Sequence, residues 1–98
     1  MILHTVNQSP FQHRALQQCL RLISPPAALL LIEDGVYAAT TAYADTLAQL
    51  PSAITLYALQ QDVAARGVGG TLNPRIKQLS DQEFVELSIR CTAMQAWY

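Results

Sequence analysis

Two apolar patterns alternate along the chain. Ala27–Ile32 (AALLLI) and Ala53–Leu59 (AITLYAL) are short, nearly uninterrupted apolar runs, and Met1–Val6 and Arg75–Leu79 are weaker versions of the same kind. Continuous runs of this length read as strands covered on both faces, as in a parallel sheet between helices. The segments between them repeat apolar residues at helical spacing. Ser9-Pro10-Phe11-Gln12 is a capping box with proline at its first helical position, and it predicts a helix running to about Ile23, stopped by Ser24-Pro25-Pro26. Val36–Leu50 is alanine-rich and helical in pattern, with a break near Thr40-Thr41 and an end at Pro51-Ser52. Gln60–Arg66 predicts a short helix with Gly67 in the left-handed position after it, followed by a loop, Gly67–Pro74. Ser80-Asp81-Gln82-Glu83 is a second capping box, opening a helix that ends near Cys91. Strands alternating with helices predict one α/β domain over residues 1–98, built on a mostly parallel sheet of four strands, or five if the tail Thr92–Tyr98 joins its edge.

Placing residues 11–23 at roughly 100° per position divides the first helix cleanly, apart from Gln12, which belongs to the cap. Phe11, Leu22, Ala15, Cys19, Ile23, Leu16 and Leu20 share one half, while His13, Arg14, Gln17, Gln18 and Arg21 share the other. Cys19 sits near the middle of the apolar half. A cysteine there reads first as a small core hydrophobe, inert because apolar surroundings raise a thiol's pKa. It becomes a working thiol only if that face opens onto a cleft or an interface. Cys91 shares a stripe with Phe84, Leu87 and Ser88 and reads as packing.

Composition sharpens the picture. Hydrophobic residues make up 51% of the 98-residue chain and charged residues only 13%, against a typical charged share of about 25%. A small domain has much surface to cover, so the deficit predicts that part of it is shared with partner subunits. The six basic residues are scattered and the net charge is -1, so there is no footprint for direct nucleic-acid binding. No apolar run is long enough to span a membrane, and Met1–Phe11 lacks a cationic start and cleavage site. A cytoplasmic setting is expected, with Cys19 and Cys91 reduced.

Other candidate chemistry is thin. Glu33-Asp34-Gly35 ends the most apolar strand, where ligands gather in open α/β sheets, but it is equally an ordinary helix-starting turn. Gly67–Pro74 (GVGGTLNP) lacks the spacing and the lysine of a phosphate loop. His4 and His13 have no Cys, Asp or Glu at metal-ligand spacing, and neither a metal nor another cofactor is expected. Trp97 and Tyr98 in the tail are candidate interface residues, or part of an edge strand, or both.

Five segments, in order, carry a resemblance. Leu3–Phe11 (LHTVNQSPF) is similar to an "LHTxxxSPF/W" start, and Leu29–Ala39 (LLLIEDGVYAA) to "LLLxxDGVxAA". Tyr57–Leu59 with Asp62–Gly67 is similar to "YALxxDxxARG", Asp81–Leu87 to "DxxxFVxL", and Gln95–Trp97 to a terminal "QAW". The whole chain thereby resembles the DsrH/TusB family of small sulfur-relay subunits. The resemblance implies a flavodoxin-like three-layer α/β fold within the DsrE/DsrF/DsrH superfamily. It implies assembly with TusC/DsrF-like and TusD/DsrE-like subunits into a heterohexamer of two trimers. Sulfur would arrive as persulfide from a TusA-like carrier and leave on a TusE-like one, toward 2-thiolation of wobble uridine in tRNA. A DsrH-type role in dissimilatory sulfur oxidation is the alternative. The main persulfide cysteine of such assemblies lies in the TusD/DsrE-like partner. Cys19 stands in the "CLRL/CLKF" context that some members share, which keeps it a persulfide candidate. That role would demand access and a depressed thiol pKa.

Overall fold

A computed structural model describes residues 1–98. Five strands, β1 (Ile2–Val6), β2 (Ala27–Leu31), β3 (Ile54–Leu59), β4 (Lys77–Leu79) and β5 (Ala93–Trp97), form one sheet in the order β4-β3-β2-β1-β5. Every neighbouring pair is parallel, so the expected α/β architecture holds and the tail is indeed an edge strand.

The helices are α1 (Ala15–Leu22), α2 (Ala44–Ala48), α3 (Gln60–Ala65) and α4 (Asp81–Arg90). They cover the sheet unequally. On one face, α1, α2, α3 and a 3-10 segment at Glu33–Ala39 pack on Val6, Leu29, Leu31, Ile54, Leu56 and Ala58. On the other, α4 alone supplies the helical cover, through Leu87 with Phe84 beside it, over Leu3, Ala28, Leu30 and Leu79. β2 lies under both layers and all five of its residues are buried, which is why its sequence is uniformly apolar. Each fully buried Leu there is worth about 1.5–3 kcal/mol of transfer free energy.

The capping signals had mixed outcomes. Ser80 and Glu83 form both bonds of the expected box: the Glu83 N–H donates to Ser80 Oγ at 3.2 Å and the Ser80 N–H to Glu83 Oε1 at 3.0 Å. Gly67 takes φ 65°, and the Gly67 N–H to Ala64 and Val68 N–H to Val63 bonds complete a Schellman motif at the end of α3. Ser9, by contrast, does not start α1, which begins at Ala15 with no side-chain cap. The Ser9 carbonyl accepts from both Gln12 and His13, and its Oγ accepts from the Phe11 N–H, so the serine closes a separate tight turn. Phe11 is drawn onto the rings of Tyr37 and Tyr43, away from the α1 stripe. The alanine-rich stretch is broken at Thr40, which bridges to Leu72; it is 3-10 on both sides of the break and α-helical only from Ala44. β4 begins at Lys77, two residues later than the apolar pattern suggested.

Candidate functional site

Cys19 lies on the buried face of α1 with Ala15 and Leu16, pressed into the larger core cluster at 0% exposure. Burial pushes its thiol up to about 12. A thiol in that state is protonated at any physiological pH, and neither requirement of a persulfide carrier, access or a depressed pKa, is met in this conformation. Cys91, the residue that caps the C-terminus of α4, is part-buried and, like Phe84 of its stripe, packs against the smaller core cluster. The two cysteines are free. Four surface clefts exist, the largest about 570 Å³ between α1 and the α2–β3 connection, and neither thiol lines any of them.

The tail residues divide. Trp97 is half-buried: its Nε1–H donates to His4 Nδ1 at 3.1 Å and the two rings stack 6.3 Å apart. That bond makes Nδ1 an acceptor, so His4 is neutral with its proton on Nε2. Burial of His4 also lowers its pKa. Tyr98 stays 79% exposed.

The acidic turn after β2 is occupied by structure. Glu33 sits at φ 50°, in the left-handed region, and its N–H donates to Asp62 Oδ2 at 2.7 Å. Arg66 donates to Asp34 Oδ1 at 2.9 Å and to the Asp62 carbonyl at 3.4 Å. Gly35 packs so closely on the Val6 carbonyl that a Cβ would overlap its oxygen. Asp34, Gly35, Asp62 and Arg66, all within the quoted motif segments, thus tie the end of β2 to α3 and to β1. Arg75 gave no signal in the sequence. Its guanidinium donates to the carbonyls of Leu47, Leu50, Pro51 and Ile54 at 2.8–3.0 Å, fastening the end of α2 to the start of β3. Only a non-local account of unpaired helix-end carbonyls could have found it. No three His, Cys, Asp or Glu side chains converge as metal ligands, and no helix is long and apolar enough to cross a membrane. The arrangement offers surfaces for binding and no nucleophile aligned with a base.

Comparisons with known proteins agree in direction. The family model described as "DsrH like protein" matches residues 8–94. Protein TusB of Erwinia tasmaniensis is 36% identical over 96 residues, covering 98% of this chain and 100% of that protein. Protein TusB of Klebsiella pneumoniae and of Escherichia fergusonii are each 37% identical over 98 residues, with the same coverage. Among solved structures, the crystal structure of the ychN protein from E. coli superposes with a TM-score of 0.85 at 16% identity, over 97% of each chain. The solution structure of protein Tm0979 from Thermotoga maritima gives 0.65 at 23% identity, over 89% of this chain and 90% of that one. At those identities the two structures speak to the fold alone.

Proposed function

The chain belongs to the DsrH family, and from that membership we propose that it is a subunit of a sulfur-relay assembly that carries no persulfide of its own. The observation that carries the reading is Cys19: the one cysteine in the family's sulfur-handling context is sealed in the core with its thiol at about 12. Carrying sulfur needs thiolate attack on an incoming persulfide, and a buried, protonated thiol cannot make that attack. Support for a subunit role comes from the charge-poor composition, with 13% charged residues, and from large apolar side chains left outside, Ile89 and Tyr98 among them.

The partners in this reading are TusC/DsrF-like and TusD/DsrE-like subunits, one of each joining this chain in a trimer and two such trimers forming a heterohexamer in the cytoplasm. The TusD/DsrE-like subunit holds the reactive cysteine, taking sulfur from a TusA-like carrier and giving it to a TusE-like one. The name Protein TusB on the similar relatives favours the branch toward 2-thiolation of wobble uridine in tRNA.

Co-expression with TusC- and TusD-like proteins tests it. The expected result is one sedimenting species containing this chain, and sulfur transfer through it that survives Cys19→Ala. A free monomer in the partners' presence overturns the subunit role. A gain of one sulfur atom in the intact mass of this chain, lost in Cys19→Ser, overturns the statement that it carries none.

A further inference from the structure

The two edges of the sheet are treated differently. β4 is three residues long, is preceded by Pro74 and Arg75, and carries an exposed Lys77. Short length, proline and lysine are the ordinary means of keeping an edge from pairing with another chain. β5 has none of them. From Thr92 to Tyr98 there is no Asp, Glu, Lys, Arg or Pro. All five β5 residues pair in register with β1 on one side, which leaves the outer row of main-chain groups without a neighbouring strand. Ala93 to Ala96 are exposed, and Met94, Tyr98 and the adjoining Ile2 are large apolar side chains open to solvent.

We infer that β5 pairs antiparallel with β5 of a second copy of this chain, across a two-fold axis at Gln95, joining two sheets into one. The sequence of the strand is complementary to itself in that register. Gln95 faces Gln95, Ala93 faces Trp97 of the second copy, and Met94 faces Ala96 of the second copy. Each large side chain therefore meets an alanine on the same face of the sheet, and the two central amides can bond each other. Directly opposed residues in such a pair hold their Cβ atoms about 4.5–5.5 Å apart, close enough for this size matching to count. No charge opposes another across the seam, since the strand has none. A two-fold arrangement also closes on itself, whereas β5 on β4 would run on as an open-ended sheet, and β4 is the guarded edge. The proposal is independent of the sulfur-relay reading: it concerns two copies of this chain, whatever else binds them.

The test is site-specific cross-linking in a Cys91→Ser background, with sedimentation in parallel. Opposed residues of an antiparallel pair have Cα separations within disulfide range. Gln95→Cys is expected to form a disulfide-linked dimer under mild oxidation, at least tenfold faster than Ala93→Cys, which faces Trp97 instead of itself. Without oxidant the native chain should sediment at twice its 10.8 kDa mass. Gln95→Lys should halve that mass with an unchanged circular dichroism spectrum, because the residue is exposed. A native chain that stays monomeric at tens of micromolar overturns the inference. So does equal cross-linking at Ala93 and Gln95, or a dimer indifferent to Gln95→Lys. Loss of the Gln95 cross-link when other subunits are bound, with this chain still present in two copies, would show that a foreign strand owns the edge, and would overturn it too.

Discussion

Treating the native protein with iodoacetamide near neutral pH tests the placement of Cys19 directly. Burial raises its thiol from 9.0 to about 12, which lowers the thiolate population about a thousandfold, since each pH unit is a factor of ten. A more basic thiolate is a better nucleophile, and a Brønsted slope of about 0.4–0.5 returns roughly fifteen- to thirtyfold of that loss. Electrostatics alone then leaves a deficit of roughly thirty- to sixtyfold. Access sets the limit on the other route. Cys19 is 0% exposed, so α1 must lift from the sheet before the reagent can reach Sγ, and once lifted the thiol is solvated and its pKa is ordinary again. An opening that costs about 3 kcal/mol slows that route more than a hundredfold, and openings range up to the whole stability of a domain. The expected alkylation rate is therefore roughly two orders of magnitude or more below that of an exposed thiol. Peptide mass spectrometry reads it, with part-exposed Cys91 as the reference in the same tube. Cys19 should react only as guanidinium unfolds the chain. Modification of Cys19 within about tenfold of Cys91 in buffer, insensitive to denaturant, would refute the reasoning and return Cys19 to the list of working thiols.

Three further substitutions probe the scaffold. Arg75→Ala strips four carbonyls of a charged donor and should cost about 2–4 kcal/mol in a denaturant titration, with Arg75→Lys recovering little because a single ammonium cannot span the four; a loss under about 0.5 kcal/mol would refute it. Gly35→Ala drives a methyl into the Val6 carbonyl, and overpacking against backbone should cost more than about 3 kcal/mol, seen as a Tm drop of about 12 °C or more or as insoluble protein. His4 has its pKa lowered by burial, so above about pH 6.5 both states are neutral, and below it the unfolded chain takes up the proton that the folded one resists. Stability should thus fall as pH drops through that window, and the Trp97 fluorescence midpoint should follow; an equally steep fall in His4→Phe would show that His4 is not the group responsible.

The strands were readable because a strand under two helical layers is apolar throughout, and Ala27–Leu31 is that case. Ser80 was readable because a capping box is local: four residues decide it. Ser9 had the same local signal and went into a different structure, because the preceding strand ends at Val6 and the aromatic rings of Tyr37 and Tyr43 claim Phe11. The helical wheel of α1 was right at its centre, Ala15, Leu16 and Cys19, and wrong at its margin, where Phe11 and Leu22 are exposed. A wheel finds the buried direction, but how wide an arc is covered depends on what lies opposite. Arg75 and the Asp34–Arg66 pair were illegible for another reason: their partners lie 21 to 32 residues away, and those of Arg75 are main-chain carbonyls, which carry no mark in a sequence.

The motif residues that disclose the family are occupied with holding the fold. Asp34, Asp62 and Arg66 tie loop to helix, Gly35 permits a close approach to β1, and Gly67 ends α3. A residue whose polar atoms are engaged within its own fold is not free to act on a substrate, so these residues serve the scaffold. What remains unspent lies outside: an uncharged edge strand, the exposed Tyr98, and an α4 whose Val85 and Ile89 point away from the sheet it covers. These features share one chemistry, apolar surface and unpaired main chain, and that chemistry recognises protein. If function followed the motifs, Asp62→Ala would abolish it at unchanged stability. If it follows the surface, that variant should lose stability first and partner binding only in proportion, while Gln95→Lys should abolish association and lower Tm only by the concentration-dependent share that dimerisation contributes. Measuring both variants for melting temperature and for sedimentation separates the two outcomes, and the geometry around Asp62 and Gln95 commits to the second.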